Sequence, residues 1–282
     1  MPSKQFPLLF LTFTSNNSSR NMNRFLLGLL SLTFAVGFFH SSCQKTSTQY
    51  TDTLVYDMQS LQRVYQNCNI DSPDCAHISY TYPLFTSPQP LADSLNALVL
   101  TIFGVNKNTN LEQSQHTFMA EYEKFKKEFK DSEQSWYSQT NVSVPFQTNN
   151  VVCLSVEMDD YTGGAHGMYS TIYSNYYKPK NEILTLQKLF TDSNLTKLLS
   201  LAETDFRTAS ELPMNMDLDE AGYWFKDNKF HLNDNLMITN DGVTWLFNPY
   251  EVASYAQGTI ELSVSKDELL PLLNHPYTNL WE

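Results

Sequence analysis

The densest chemistry-bearing stretch of the 282-residue chain is Asp159-Asp160-Tyr161-Thr162-Gly163-Gly164-Ala165-His166-Gly167. Two carboxylates and an imidazole spaced by flexible glycines could ligate a divalent metal or work as an acid/base pair on a glycan. The competing reading is structural: a strand ends in acids, the glycines supply left-handed backbone in a tight loop, and His166 satisfies buried backbone groups. The residue pattern favours the structural reading. The chain carries no H-E-x-x-H, G-x-S-x-G or phosphate-loop motif and no Cys/His nucleophile pattern. No cofactor is therefore expected, and catalytic work, if any, falls to Asp159, Asp160 and His166.

A second feature is aromatic: Tyr169, Tyr173, Tyr176 and Tyr177 on one segment, with Tyr250 and Tyr255 of NPYEVASY further on. Tyrosine offers a large rigid contact area at low entropy cost, which suits protein or glycan binding. Packing on a half-covered sheet face is the alternative.

These residues need elements to hold them. VVCLSVEM before the acidic loop reads as a strand with Val152, Leu154, Val156 and Met158 on one face. Cys153 shares the other face with Ser155 and Glu157, as a half-buried free thiol. MYSTIYSNYY alternates after the loop. LVYDMQSLQRVY and HISYTYPLF read as earlier strands, and LADSLNALVLTIFGV as a helix with Leu91, Leu95, Leu98 and Ile102 inward. Leu111, Phe118, Tyr122, Phe125 and Phe129 stripe a second helix over 111–130. DSNLTKLLSLAETDFRTAS is a third, capped by Asp192 or Ser193. KFHLNDNLMI and GVTWLF are strands around Asn240-Asp241-Gly242, a hairpin signal, and TIELSV is a last strand before a Ser265/Glu268 capping box. Strands and helices mix without a βαβ rhythm, so the expected class is α+β, with a mainly antiparallel sheet, packed helices and two closely associated subdomains.

Charge and cysteine use bear on compartment. The chain has 18 basic and 30 acidic residues, and 1–42 holds Lys4, Arg20 and Arg24 with no acid, so the rest carries about −15. That surface repels phosphate and anionic lipid, which excludes a nucleic-acid partner, and steers cationic ones. FLLGLLSLTFAVGFF (25–39) follows Met22-Asn23-Arg24 and precedes Ser41-Ser42-Cys43. It is short for a membrane span and fits a secretory signal, with translation expected to start at Met22. Ser41-Ser42-Cys43 resembles a bacterial lipobox, with His40 in place of the usual aliphatic residue. The expectation is a lipoprotein attached at Cys43, facing the periplasm or in the outer membrane, with its lipid as the one membrane contact. Cys68 and Cys75 flank the turn-rich NIDSPD and favour a local disulfide in an oxidising compartment.

YTGGAHG (161–167), LTLQKLF (184–190), FNPYEVASYAQG (247–258) and TIELSVSKDEL (259–269) together resemble the C-terminal domain of the RsiV-like extracytoplasmic family, a domain of unknown function. The part before it, with its two cysteines, ISYTYPLF and LNALVLTIFG, is similar to the partner domain found at the front of PdaC-type peptidoglycan deacetylases. The resemblance implies an α+β envelope module of the kind seen in lipoproteins, lysozyme-sensing anti-sigma factors and ahead of deacetylase domains. Only 24 residues precede the apolar run, and the Asp-Asp and His-x-x-x-His elements of deacetylases do not follow. The expected organisation is a leader at 1–42, a tether at 43–53, a PdaC/RsiV-type domain at 54–150 and an RsiV-like domain at 151–282.

The expected function is ligand recognition at the envelope, with a basic lysozyme-like protein or a peptidoglycan fragment as partner. The expected surface is Gly163, Gly164, His166, Tyr169, Tyr173, Asn248, Pro249, Tyr250 and Tyr255. A metal-assisted glycan hydrolase or deacetylase using Asp159, Asp160 and His166 is the alternative, and a structural lipoprotein a second one.

Overall fold

The computed structural model describes residues 54–105 and 110–282. The leader, the tether and Cys43 lie outside them. The described chain is α+β, with a six-stranded sheet in the order β1 (Val55–Val64), β2 (Ala76–Ser87), β3 (Trp136–Gln147), β4 (Val151–Tyr161), β5 (Met168–Tyr177) and β6 (Glu182–Ile183). Neighbours run antiparallel except β2 and β3. A parallel pair needs a long crossover, and here it contains α1 (Leu91–Ile102) and α2 (Leu111–Glu128). Both helices lay apolar stripes on one face of the sheet. Leu91, Leu95 and Val99 of α1 are buried against Val142, Val152, Leu154 and Val156. In α2, Tyr122 is fully buried and its hydroxyl donates to the Asp74 carbonyl at 2.6 Å, while Phe129 at the end of the stripe is exposed. Asn110 caps α2 by accepting from the Gln113 amide.

Cys68 and Cys75 form a disulfide across the turn between β1 and β2.

The second sheet is a meander of β7 (Leu236–Ile238), β8 (Gly242–Phe247) and β9 (Ile260–Ser265). At the β7–β8 turn, a side chain on Gly242 would overlap the Val264 carbonyl, so the Asn-Asp-Gly hairpin keeps its glycine for close backbone approach. After the one-turn α3 (Leu186–Leu189) comes α4 (Asp192–Ala209), whose Leu198, Ala202 and Phe206 form one core with Trp245, Phe247, Leu236 and Ile238. The cap of α4 is Thr191, one residue earlier than the sequence suggests, because Thr191 is the residue in extended conformation whose side chain accepts from the Asn194 amide. The Ser265/Glu268 capping box is present. In KFHLNDNLMI only the last three residues pair as strand. Phe230 and Leu232 alternate because they bury into the core beside Phe206 and Phe225, without a ladder partner.

The second sheet docks on the outer edge of β5, where no strand pairs beyond Tyr176 and Tyr177. Carboxamides take the place of that strand. Asn235 accepts from the Tyr173 amide at 2.7 Å and donates to the Thr171 carbonyl at 2.8 Å. Asn175, fully buried, donates to the Leu236 carbonyl and accepts from the Ile238 amide. A buried edge with unpaired backbone groups would cost about 1–3 kcal/mol per group, and these amides prevent it.

Cys153 is completely buried rather than half-buried. The helices cover one face of β4, and at this end the second sheet covers the other. Burial pushes its thiol up to about 12, against an opposing backbone hydrogen bond from Ile238. Among the described residues no helix is long and apolar enough to cross a membrane.

Candidate functional site

The loop between β4 and β5 is shaped by its glycines. Gly163 and Gly164 have φ of 100° and 110°, a region that residues with a Cβ rarely enter. The Tyr161 hydroxyl donates to the Gly164 carbonyl at 3.0 Å and accepts from Gln134 at 3.1 Å. At Gly167, a Cβ would stand 2.9 Å from the Tyr137 hydroxyl and 3.1 Å from the Asp160 carbonyl. The glycines thus let the loop fold back on itself, and His166 is carried outward.

His166 packs face to face on Tyr255, ring centroids 3.9 Å apart and planes at 21°. Its Nδ1 donates to the Gly167 carbonyl at 2.7 Å, and its Nε2 lies 3.5 Å from the Tyr250 hydroxyl. Tyr250 meets Tyr255 at 5.6 Å, and Tyr169 approaches Tyr255 edge-on at 5.9 Å. Four rings from three segments form one exposed platform, with Tyr250 50% and Tyr169 38% accessible.

The platform rests on the Asn248-Pro249-Tyr250-Glu251 turn. The Glu251 amide bonds the Asn248 carbonyl at 3.0 Å, proline sits second, and Tyr250 sits third with φ of 68°. A positive φ at that place marks a type II turn, which normally takes glycine. A tyrosine there costs about 1–2 kcal/mol of backbone strain, which makes the position a place to look for function. Asn248 fixes the turn to the sheet: its side chain accepts from the Thr171 amide at 2.7 Å and donates to the Thr171 carbonyl at 3.0 Å. Its amide is therefore spent on the edge of β5. Pro249 is buried beneath the turn.

Of the tyrosines on β5, Tyr169 joins the platform. Tyr173 lies two positions further on the same face, where desolvation and the charges of Glu261 and Glu157 raise its hydroxyl above the ordinary value. Tyr176 and Tyr177 are buried, because this end of β5 passes under the second sheet and α1. They add nothing to an exposed aromatic strand.

Asp159 and Asp160 do not converge on one site. The two aspartates are successive residues of β4, so their side chains leave opposite faces of the sheet. Asp160 points to the helical face, where partial loss of solvent raises its carboxyl and a Ser138 hydrogen bond opposes the rise. Among the described residues no three His, Cys, Asp or Glu side chains gather as metal ligands. The metal-ligand cluster suggested by spacing is not assembled among the described residues.

Asp159 instead faces a polar expanse that sequence reasoning missed. The register puts Ser79, Gln139, Asn141, Glu157, Asp159, Tyr169 and Thr171 on the sheet face opposite the helices. There Gln139, Asn141, Glu157, Asp159, Tyr169 and Thr171 line a cleft of about 350 Å³. Tyr137 stands beside it, stacked with His77, its hydroxyl raised by desolvation and then by the charge and hydrogen bond of Asp159. Alternation of polar residues along β3 and β4 marks such a face, but not that it stays uncovered.

Residues 71–169 match the family model described as Deacetylase PdaC, and residues 187–267 match that described as Protein of unknown function (DUF3298). No curated protein matches the chain. Among solved structures, a DUF3298 family member from Bacteroides fragilis is similar over 83% of this chain and 99% of its own, with 21% identity and a TM-score of 0.67. A DUF3298 family protein from Pseudomonas aeruginosa is similar over 80% of this chain and 97% of its own, with 20% identity and a TM-score of 0.57. These likenesses establish a shared fold.

Proposed function

We propose that this chain is an exported recognition module, anchored through lipid at Cys43, that binds a cationic envelope ligand on the platform of His166, Tyr169, Tyr250 and Tyr255. The observation that carries the reading is the strained, half-exposed Tyr250, held over His166 and Tyr255 by a turn clipped to β5. A tyrosine kept where glycine is the easier residue, with its ring outward, is a contact residue. The acidity of the chain after residue 42 adds direction, since it raises the encounter rate of a basic partner. A basic lysozyme-like protein is the most concrete ligand. Residues 71–169 match a model described as a deacetylase; the divergence of Asp159 and Asp160 and the lack of a metal-ligand cluster among the described residues favour recognition over metal-assisted deacetylation.

The test is calorimetric titration of the purified protein with lysozyme at low and at physiological salt. Binding that weakens with salt and is lost in Tyr250→Ala supports the proposal. Equal heats for parent and Tyr250→Ala, or none for either, would overturn it.

A further inference from the structure

We infer that the cleft beside the platform is a saccharide subsite that takes a glycan carrying a free amino group, a glucosamine-type ring. This rests on the ligand-recognition reading above and names a ligand class for the same surface.

The lining has three kinds of group, and each asks for something different. Tyr169 forms one wall and continues into Tyr255 and His166, which offers flat apolar area to the C–H face of a pyranose ring. Gln139, Asn141 and Thr171 present carboxamides and a hydroxyl, which both donate and accept; the Gln139 amide nitrogen meets His77 at 3.0 Å and that of Asn141 donates to Glu157 at 3.4 Å, so each carboxamide keeps one hydrogen and its oxygen for a ligand. Adjacent sugar hydroxyls do the same, so the two sets can pair fully. Glu157 and Asp159 are two residues apart on one face of β4, roughly 7 Å along the strand, and provide acceptors only. They match a positive substituent.

Other ligands satisfy only part of this lining. A lysine or arginine side chain carries donors alone, so it would use the carboxylates and leave unanswered the one amide hydrogen each of Gln139 and Asn141 that is not turned to His77 or Glu157. A neutral N-acetylated sugar would use the rings and amides but place an uncharged group against two carboxylates. A volume of about 350 Å³ lies at the low end of ligand pockets, which run from about 300 to 1,000 Å³. It admits a short saccharide stretch.

The experiment uses the purified full-length protein and three probes of equal length: a glucosamine tetramer, an N-acetylglucosamine tetramer and tetra-arginine, each titrated calorimetrically at two salt concentrations. The glucosamine tetramer should bind at least about fivefold more tightly than either other probe, and lose part of that lead in high salt. Glu157→Gln and Asp159→Asn, both on exposed positions, should each erode the preference for amino over acetamido sugar while leaving the thermal melt unchanged. The parent protein's preference among probes needs no variant, so a poorly folding variant does not remove the test. Equal binding of the two sugars, tetra-arginine binding as well as glucosamine, or a preference untouched in both variants would each overturn the inference. Lysozyme binding that depends on Tyr250 without any sugar binding would overturn this inference alone, whereas loss of both would overturn the platform as well.

Discussion

Replacing Tyr250 by alanine and by glycine separates the ring from the backbone beneath it. The residue has φ of 68° in a turn where glycine is at ease. Alanine keeps the left-handed strain of about 1–2 kcal/mol. Glycine removes it, at a cost of about 0.5–1 kcal/mol in unfolded-state entropy. The glycine variant should therefore be the more stable of the two by about 0.5–1 kcal/mol, or about 1–4 °C in melting temperature for a domain of this size. Both variants lose the ring contacts with His166 and Tyr255, so the alanine variant should fall about 1 kcal/mol below the parent. Denaturant titration of the three proteins gives the stabilities, and lysozyme titration gives the affinities. Affinity should drop about tenfold or more in both variants, because the ring is gone in both. An alanine variant as stable as the glycine one would refute the strained turn, and undiminished affinity in the glycine variant would refute the role of the ring.

Asn248→Ala removes both bonds to Thr171 and leaves that backbone amide without its partner, while the carbonyl keeps Asn235, so it should cost about 1–2 kcal/mol, roughly 2–8 °C, and weaken lysozyme binding through the turn that carries Tyr250. Cys153 should resist iodoacetamide in the native protein and react only after unfolding, as peptide mapping would show, because its buried thiol is pushed up to about 12. Acid should act through Glu182. Desolvation pulls its carboxyl upward, but hydrogen bonds from Lys188 and Tyr277 and the charges of Lys188 and Lys180 hold it below its ordinary value of 4.5. A carboxyl lowered by folding adds stability above its unfolded value and loses it as pH falls through the folded one. Melting curves of the parent and Glu182→Gln should therefore differ at neutral pH and converge as pH falls below 4.5 and through the lowered folded value; a constant gap would contradict the ion pair's role.

Much of the fold is legible in the sequence because period alone reveals it. The stripes of α1 and α4 and the alternation in β2 and β5 need only local reading. What period cannot tell is which part of an element gets covered. Cys153 reads as half-buried because its neighbours alternate, yet the second sheet closes over it. Tyr169 and Tyr177 share a face of β5, but one end of the strand is open and the other enters the core. The two-residue β6 and the one-turn helix Leu186–Leu189 are too short to carry a periodic signal. In the site, the glycines, His166 and the NPYE turn stand out as residue types, whereas their union depends on Asn235 and Asn248 bonding a strand more than sixty residues away. The separation of Asp159 from Asp160 is legible once the acids are placed at the end of the strand, since neighbours on a strand face opposite ways.

The platform's role is tested most directly at Tyr255, the ring that touches the other three. Titration of lysozyme into the parent, Tyr255→Phe and Tyr255→Ala at low salt should give near-equal affinity for the first two and a loss of about tenfold or more for the third. An alanine variant that folds like the parent and binds as tightly would contradict the account.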